Sequence, residues 1–276
     1  MTTEERGEKM EHLRFTMIES FQEYVPEDDI IKSATPEIKA ENRRMLIAGY
    51  CILVQHPTLG NVLYDCGVAD DWETTWNDTM KELYSVVTFN RFAEKLRELG
   101  LTPDDIDILI ISHLHYDHAG NIKQFQNTKA GKSIIVSEAD ATEAFVKVNL
   151  DDTGYSGAYW KPEFLNLPGI GYRLLKEDTR LADDVELFIQ RGHTPGVVGM
   201  ILHAESGTYI FTSDGIYSSR NYGPPVTLPG LCFDPDSYGD SVEKVRALQK
   251  RYGATVVFSH DVADIDGWRK SPYFYT

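Results

Sequence analysis

The sequence predicts one large domain of the α+β class, and three observations carry that reading. Apolar runs of strand length recur between residues 45 and 258, separated by Gly, Pro, Asn and Asp turns. Longer amphipathic stretches at 89–99, 138–148 and 241–252 have helical spacing. At 276 residues and 42% apolar content, the chain can bury a sizeable core.

Residues 1–44 are polar and read as an N-terminal arm and first strand of the same domain, with 45–276 as its body. Within the arm, Leu13 to Ile18 alternates like a half-buried strand. The remainder reads as a loop that covers a site or mediates dimerisation, and the first ten residues equally as a loose tail. Met45–Val54 and Val62–Gly67 are two strands joined by the turn His56–Asn61, in which His56 takes no role. Trp72 and Trp76, four apart, share a helical face and serve either the core or an apolar pocket. In Phe89–Leu99, Phe92, Leu96 and Leu99 lie on one face, and Gly100 stops the helix. Thr102-Pro103-Asp104-Asp105 is a capped turn leading into the strand Ile106–Ile111. Ser133–Val136 is a strand and Glu138–Val148 a helix. The segment 151–170, rich in Tyr, Trp and Phe, is either a lid over an apolar ligand or ordinary packing. Val185–Ile189, Val198–Leu202, Tyr209–Thr212 and Thr255–Phe258 complete the strands. His203 ends one of them as a surface residue.

Chemistry concentrates in Ser112-His113-Leu114-His115-Tyr116-Asp117-His118-Ala119-Gly120-Asn121, where three of the eight histidines fall within six positions. A loop leaving a strand end can turn imidazoles and a carboxylate toward one ion from several directions. Three more apolar runs end the same way, on His193, Asp214 and His260. If those strands are co-directional, five histidines and two aspartates meet at one sheet edge. That is enough for two divalent ions sharing a carboxylate. His/Asp ligation suits zinc first, with iron, cobalt or manganese also open.

The formal net charge is −16, which disfavours nucleic acid and other polyanions and leaves small neutral substrates open. No run of eighteen apolar residues is present, so no membrane span is expected. The charged N-terminus lacks an apolar signal core, so a cytoplasmic location is expected. Cys51, Cys66 and Cys232 lack C-x-x-C spacing and read as structural thiols.

The pattern His113-x-His115-x-Asp117-His118, followed by His193, Asp214 and His260, resembles the metallo-β-lactamase superfamily over residues 45 to about 265. Ser112 to Gly120, Gly192-His-Thr-Pro-Gly, Asp214 with Tyr217 three residues on, and Phe258-Ser-His-Asp are most similar to its N-acyl-homoserine lactonases, the quorum-quenching lactonases. The resemblance implies an αββα sandwich, two mixed sheets flanked by helices, with the metals at one edge. It implies that His113, His115 and His193 hold one ion, that Asp117, His118 and His260 hold the other, and that Asp214 bridges them. Asp65 would support a metal-bound histidine. The reaction implied is opening of a lactone ring by a bridging hydroxide, with Tyr217 and Asp117 as catalytic residues. Trp72, Trp76 and the 151–170 aromatics are candidates for an acyl-chain pocket. A lactonase for another small ring, such as a pyridoxolactone, and a thioesterase or other ester hydrolase of the superfamily are the alternatives. A non-catalytic metal-binding protein on the same fold is disfavoured by the complete ligand set and Tyr217. The arm and the aromatic segment are compatible with a homodimer.

Overall fold

The face a strand residue presents follows from its parity, and that rule builds the two layers of this molecule. The computed structural model describes residues 11–33, 35, 36, 39 and 41–276. In chain order the strands are β1 (Arg14–Pro26), β2 (Arg44–His56), β3 (Gly60–Tyr64), β4 (Ser85–Phe89), β5 (Ile108–Ile110), β6 (Ile134–Ser137) and β7 (Tyr155–Ser156). Then come β8 (Tyr159–Trp160), β9 (Tyr172–Leu175), β10 (Thr179–Ala182), β11 (Val185–Gln190), β12 (Val197–Ala204), β13 (Gly207–Phe211) and β14 (Thr255–Val257). One sheet has the order β4-β1-β2-β3-β5-β6-β9, the second runs β10 to β14 in sequence, and β7 pairs with β8 as a separate ribbon. Both large sheets are mixed: β3, β5, β6 and β9 are mutually parallel, as are β13 and β14, and the remaining pairs are antiparallel.

Alternate residues of the two sheets meet face to face. Phe15 and Met17, Ile52 and Val54, and Val62 and Tyr64 pack against Val185 and Leu187, Val198 and Met200, and Tyr209 and Phe211. The other face of the first sheet (Leu53, Leu63, Leu109, Val136) is covered by Phe92 and Leu96 of the helix Phe92–Glu98 and by Ala141, Ala144 and Val148 of the helix Glu138–Leu150. The outer face of the second (Phe188, Ile201, Ile210) is covered by Tyr238, Val242 and Val245 of the helix Pro235–Tyr252. The layers are therefore helix, sheet, sheet, helix, as the α+β sandwich reading expected.

Several boundaries differ from the sequence reading. β1 continues to Pro26, paired with β2 from Arg14↔Gln55 to Pro26↔Arg44, whereas alternation is readable only to Ile18. A register shift between Glu19 and Phe21 resets the parity, and the buried Glu23 breaks the apolar pattern. The expected tail, residues 1–10, lies outside the described residues. Phe89 ends β4 rather than starting a helix. The helix expected from 241 begins at Pro235, because Asp234 accepts from the N–H of Asp236 and Pro235 suits the first turn. The strand expected over 106–111 is Ile108–Ile110. The aromatic segment forms the β7–β8 ribbon and a short helix, Lys161–Phe164, with Tyr159, Trp160 and Phe164 buried. Among the described residues, no helix is long and apolar enough to cross a membrane.

Candidate metal centre and its pocket

Four strand ends deliver the polar cluster. β5 leads into Ser112 and the histidine motif, β11 into His193, β13 into Asp214 and β14 into His260. All seven expected ligands are buried, between 0 and 7% exposed, so their polarity requires partners. Local backbone chemistry explains the sequence around them. Asp140, near the start of the helix Glu138–Leu150, accepts from Leu114 N–H at 2.8 Å, fixing the backbone between His113 and His115. Gly120 follows the motif because a Cβ there would sit 2.3 Å from the Ala69 nitrogen. Gly192 precedes His193 with φ +131°, and a Cβ there would meet the Tyr238 Cα at 2.4 Å.

The ligand atoms fall into two groups that share Asp214: His113, His115 and His193 in one, and Asp117, His118 and His260 in the other. In the first, His115 Nδ1 lies 3.0 Å from His113 Nε2 and 3.0 Å from His193 Nε2. The Nε2 atoms of His193 and His113 are 3.2 Å apart. Asp214 Oδ2 is 3.6 Å from His113 Nε2 and 3.5 Å from His193 Nε2. In the second group, His118 Nε2 is 3.3 Å from Asp117 Oδ2 and 3.2 Å from Asp214 Oδ1. His260 Nε2 is 3.4 Å from Asp117 Oδ2 and 3.1 Å from Asp214 Oδ1. A tetrahedron with bonds of about 2.0–2.1 Å has edges of about 3.3–3.4 Å, so these spacings fit the shell of an ion. His118 Nε2 and Asp214 Oδ1 are buried without a well-aligned hydrogen bond, which is what two atoms aimed at an ion require.

The second nitrogens fix the tautomers. His118 Nδ1 donates to Asp65 Oδ2 at 2.8 Å, and His260 Nδ1 donates to the Ala48 carbonyl at 2.9 Å. His193 Nδ1 donates to the Leu231 carbonyl at 3.1 Å. Each of these rings then presents a bare Nε2 to the cluster. Asp65 is itself held at φ +60°, accepting from Ser112 N–H at 2.7 Å and Ser112 Oγ at 2.9 Å. Burial, and then neighbouring imidazoles, hold His113 and His115 well below the usual histidine range, so both are neutral. For His118 and His260 burial also opposes charge, but the carboxylates of Asp214 and Asp117 outweigh it and push both upward. The field that favours a proton there equally favours a divalent cation.

Tyr217 Oη lies 2.8 Å from His193 Nδ1, where it accepts, leaving its own O–H free to donate. A narrow pocket of about 30 Å³ opens over the cluster at His115, Asp117, Asp214, Tyr217 and His260. Its walls are Val25, Ile30, Ile47, Tyr84, Tyr116 and Leu231, with Ala158 and Asp29. A second opening of about 160 Å³ reaches His115 and His193 from the side of Tyr159, Lys147 and Phe233, with Leu231 standing between the two. A larger cavity of about 470 Å³, bordered by Lys39, Arg43 and Arg44, lies away from the cluster and touches the pocket only through Asp29.

Other residues singled out in the sequence have different places. Trp76 stands behind the wall, edge-on to Tyr116 at 5.0 Å and donating to Glu163 Oε1 at 3.2 Å, with Trp72 beside it at 5.2 Å. His56 Nε2 donates to Asp184 at 2.8 Å and its Nδ1 accepts two backbone N–H groups, a structural role. His203 lies in β12 beside Glu186 at 2.9 Å. The sequence reading missed the walls at Val25, Asp29, Ile30, Ile47, Tyr84 and Leu231. It also missed Glu23, buried against the Tyr116 hydroxyl and pushed up to about 8 by burial and then by Asp117.

This arrangement of layers and ligands is that of a metal-dependent hydrolase, and the chain belongs to the metallo-beta-lactamase superfamily, whose profile matches residues 45–260. Among its relatives, an N-acyl homoserine lactonase of Bacillus thuringiensis is 28% identical, covering 82% of this chain and 86% of that protein. The N-acyl homoserine lactonase AiiB of Agrobacterium fabrum is 30% identical, covering 86% and 89%. A solved N-acyl homoserine lactone hydrolase, with the product N-hexanoyl-L-homoserine bound at its catalytic metal centre, shares the fold. Its TM-score is 0.79 at 23% identity, covering 96% of this chain and all of that one.

Proposed function

We propose that the protein is a dinuclear metal-dependent lactonase that opens the ring of N-acyl-homoserine lactones. The observation that carries this reading is Asp214 shared between two tetrahedral-sized ligand sets, with the Tyr217 hydroxyl beside them at the pocket floor. His113, His115 and His193 would hold one cation and Asp117, His118 and His260 the other, with Asp214 serving both sets, and zinc is the ion these donors suit first. When bound, the two cations supply Lewis acidity and an activated water at neutral pH.

The chain's own groups do the rest. Tyr217 donates its O–H to the oxygen that gains charge as the ring carbonyl is attacked. Asp117 carries a proton to the departing ring oxygen. Ile30, Ile47 and Leu231 exclude bulk water and receive the apolar part of the substrate.

The test is hydrolysis of short- and long-chain acyl-homoserine lactones by zinc-loaded protein, with His118→Ala as control. Turnover that vanishes in the control is expected. A protein carrying two metals without turnover of any lactone overturns the reading. Tyr217→Phe is expected to lower kcat roughly tenfold to a thousandfold with metal content unchanged. Full activity in that variant removes Tyr217 from the chemistry.

A further inference from the structure

The pocket wall is apolar apart from one acid. Outside the candidate ligands and the tyrosine hydroxyls, Asp29 is the only ionisable side chain bordering the pocket among the described residues. Its neighbour Asp28 is engaged elsewhere: Ser33 N–H donates to Oδ1 at 2.7 Å, and Lys39 Nζ lies 2.8 Å from Oδ2. The Asp29 carboxylate has no hydrogen bond or ion pair among the described residues. Its backbone, by contrast, is fixed, because Leu231 N–H donates to the Asp29 carbonyl at 3.1 Å and Gly230 N–H to the Asp28 carbonyl at 2.9 Å.

Asp29 also borders the larger cavity with Lys39, Arg43 and Arg44, and Lys39 and Arg44 attract its carboxylate through space, but none bonds to it, and a half-buried carboxylate without a hydrogen bond is costly. The cost is recovered when a ligand brings a donor. Tyr217 lines the same pocket, so a ligand held there can meet both groups. An N-acyl lactone carries its amide N–H on the ring carbon next to the scissile carbonyl. Resting on the lactonase reading above, we propose that Asp29 accepts a hydrogen bond from the substrate's amide N–H and so selects N-acylated lactones over lactones that lack a donor there. A carboxylate acceptor rejects an isostere lacking that hydrogen far better than an apolar wall could, because it is then left buried and facing an oxygen lone pair.

The experiment compares N-hexanoyl-homoserine lactone with the α-hexanoyloxy-γ-butyrolactone in which an ester oxygen replaces the N–H. Both are assayed with zinc-loaded wild type, Asp29→Ala, Asp29→Asn and Asp28→Asn. Wild type is expected to prefer the amide by about 10- to 100-fold in kcat/KM, the range of a charge-assisted hydrogen bond. Asp29→Ala should shrink that preference to within about threefold by losing activity on the amide alone, while Asp28→Asn keeps it. An unchanged preference in Asp29→Ala, equal losses on both lactones, or the same loss in Asp28→Asn overturns the inference.

Equilibrium binding of the amide lactone and of its ring-opened product, followed by calorimetry, supplies a readout independent of turnover. Binding weakened about 10-fold by Asp29→Ala, without hydrolysis in wild type, would sink the lactonase reading and keep the recognition role. Wild type binding neither ligand would sink both.

Discussion

The floor and the walls of the pocket are built on opposite principles. The floor is polar, deeply buried and tied down from behind: His118 to Asp65, His260 to Ala48, His193 to Leu231, and Asp65 to Ser112. The walls are apolar, come from segments far apart in the chain, and contain one unpaired acid. A floor of this kind sets reaction chemistry and tolerates little change, because three of its candidate ligand histidines are each oriented by a second bond. A wall held mostly by dispersion sets which molecule is admitted and can change without dismantling the site.

The sharpest way to break that division is at Asp214, which serves both ligand sets. Asp214→Ala is expected to lower turnover by at least about a thousandfold and to leave less than one metal per chain by elemental analysis. Two retained metals would mean that the sets do not depend on the shared carboxylate. In the wall, Leu231→Ala should raise KM roughly tenfold and alter chain-length preference, a typical value for lost apolar contact. Metal content should be unchanged. A loss of metal there would show that the Leu231 segment belongs energetically to the floor.

The smallest effect concerns stability. Burial, and then the neighbouring Asp28, push the Asp29 carboxyl up to about 6, against the restoring pull of Lys39 and Arg44. Between the ordinary aspartate value and about 6, the folded protein holds a proton that the unfolded chain has released. Folding stability therefore falls as pH rises through that window and stays lower above it. Asp29→Asn should raise stability by about 1–2 kcal/mol at pH 7, discounted for partial exposure, with no gain at pH 4. Denaturant melts at the two pH values check this. An equal gain at both would remove the titration from the account.

The same division governs what the sequence reveals. The floor was legible because metal chemistry needs rare residues at short spacings after strand ends, as in His113 to His118, and because Asp214 and Tyr217 sit three apart. The strands β2, β3, β12 and β13 were legible as apolar runs of strand length, and their arrangement as a sandwich was implied by the family resemblance of the ligand motif. The walls were not legible, since Val25, Ile47 and Leu231 are ordinary apolar residues that only the fold brings together. β1 past Ile18 was hidden by its register shift and by Glu23, whose burial against Tyr116 contradicts its residue type. Trp72 and Trp76 have the spacing of a pocket face, yet the closer Tyr84–Tyr116 stack, 4.2 Å between rings, takes that place and leaves Trp76 behind it.

The backbone bonds from Gly230 and Leu231 to Asp28 and Asp29 join residues some two hundred positions apart in the wall of the pocket. If that clasp parts to let substrate in and product out, turnover carries a mechanical step outside the bond-breaking chemistry. Adding sucrose to thicken the solvent should slow kcat in proportion to viscosity if that step limits the rate, and leave it unchanged if the chemistry does. In the first case, the speed of the enzyme is set by friction at its rim.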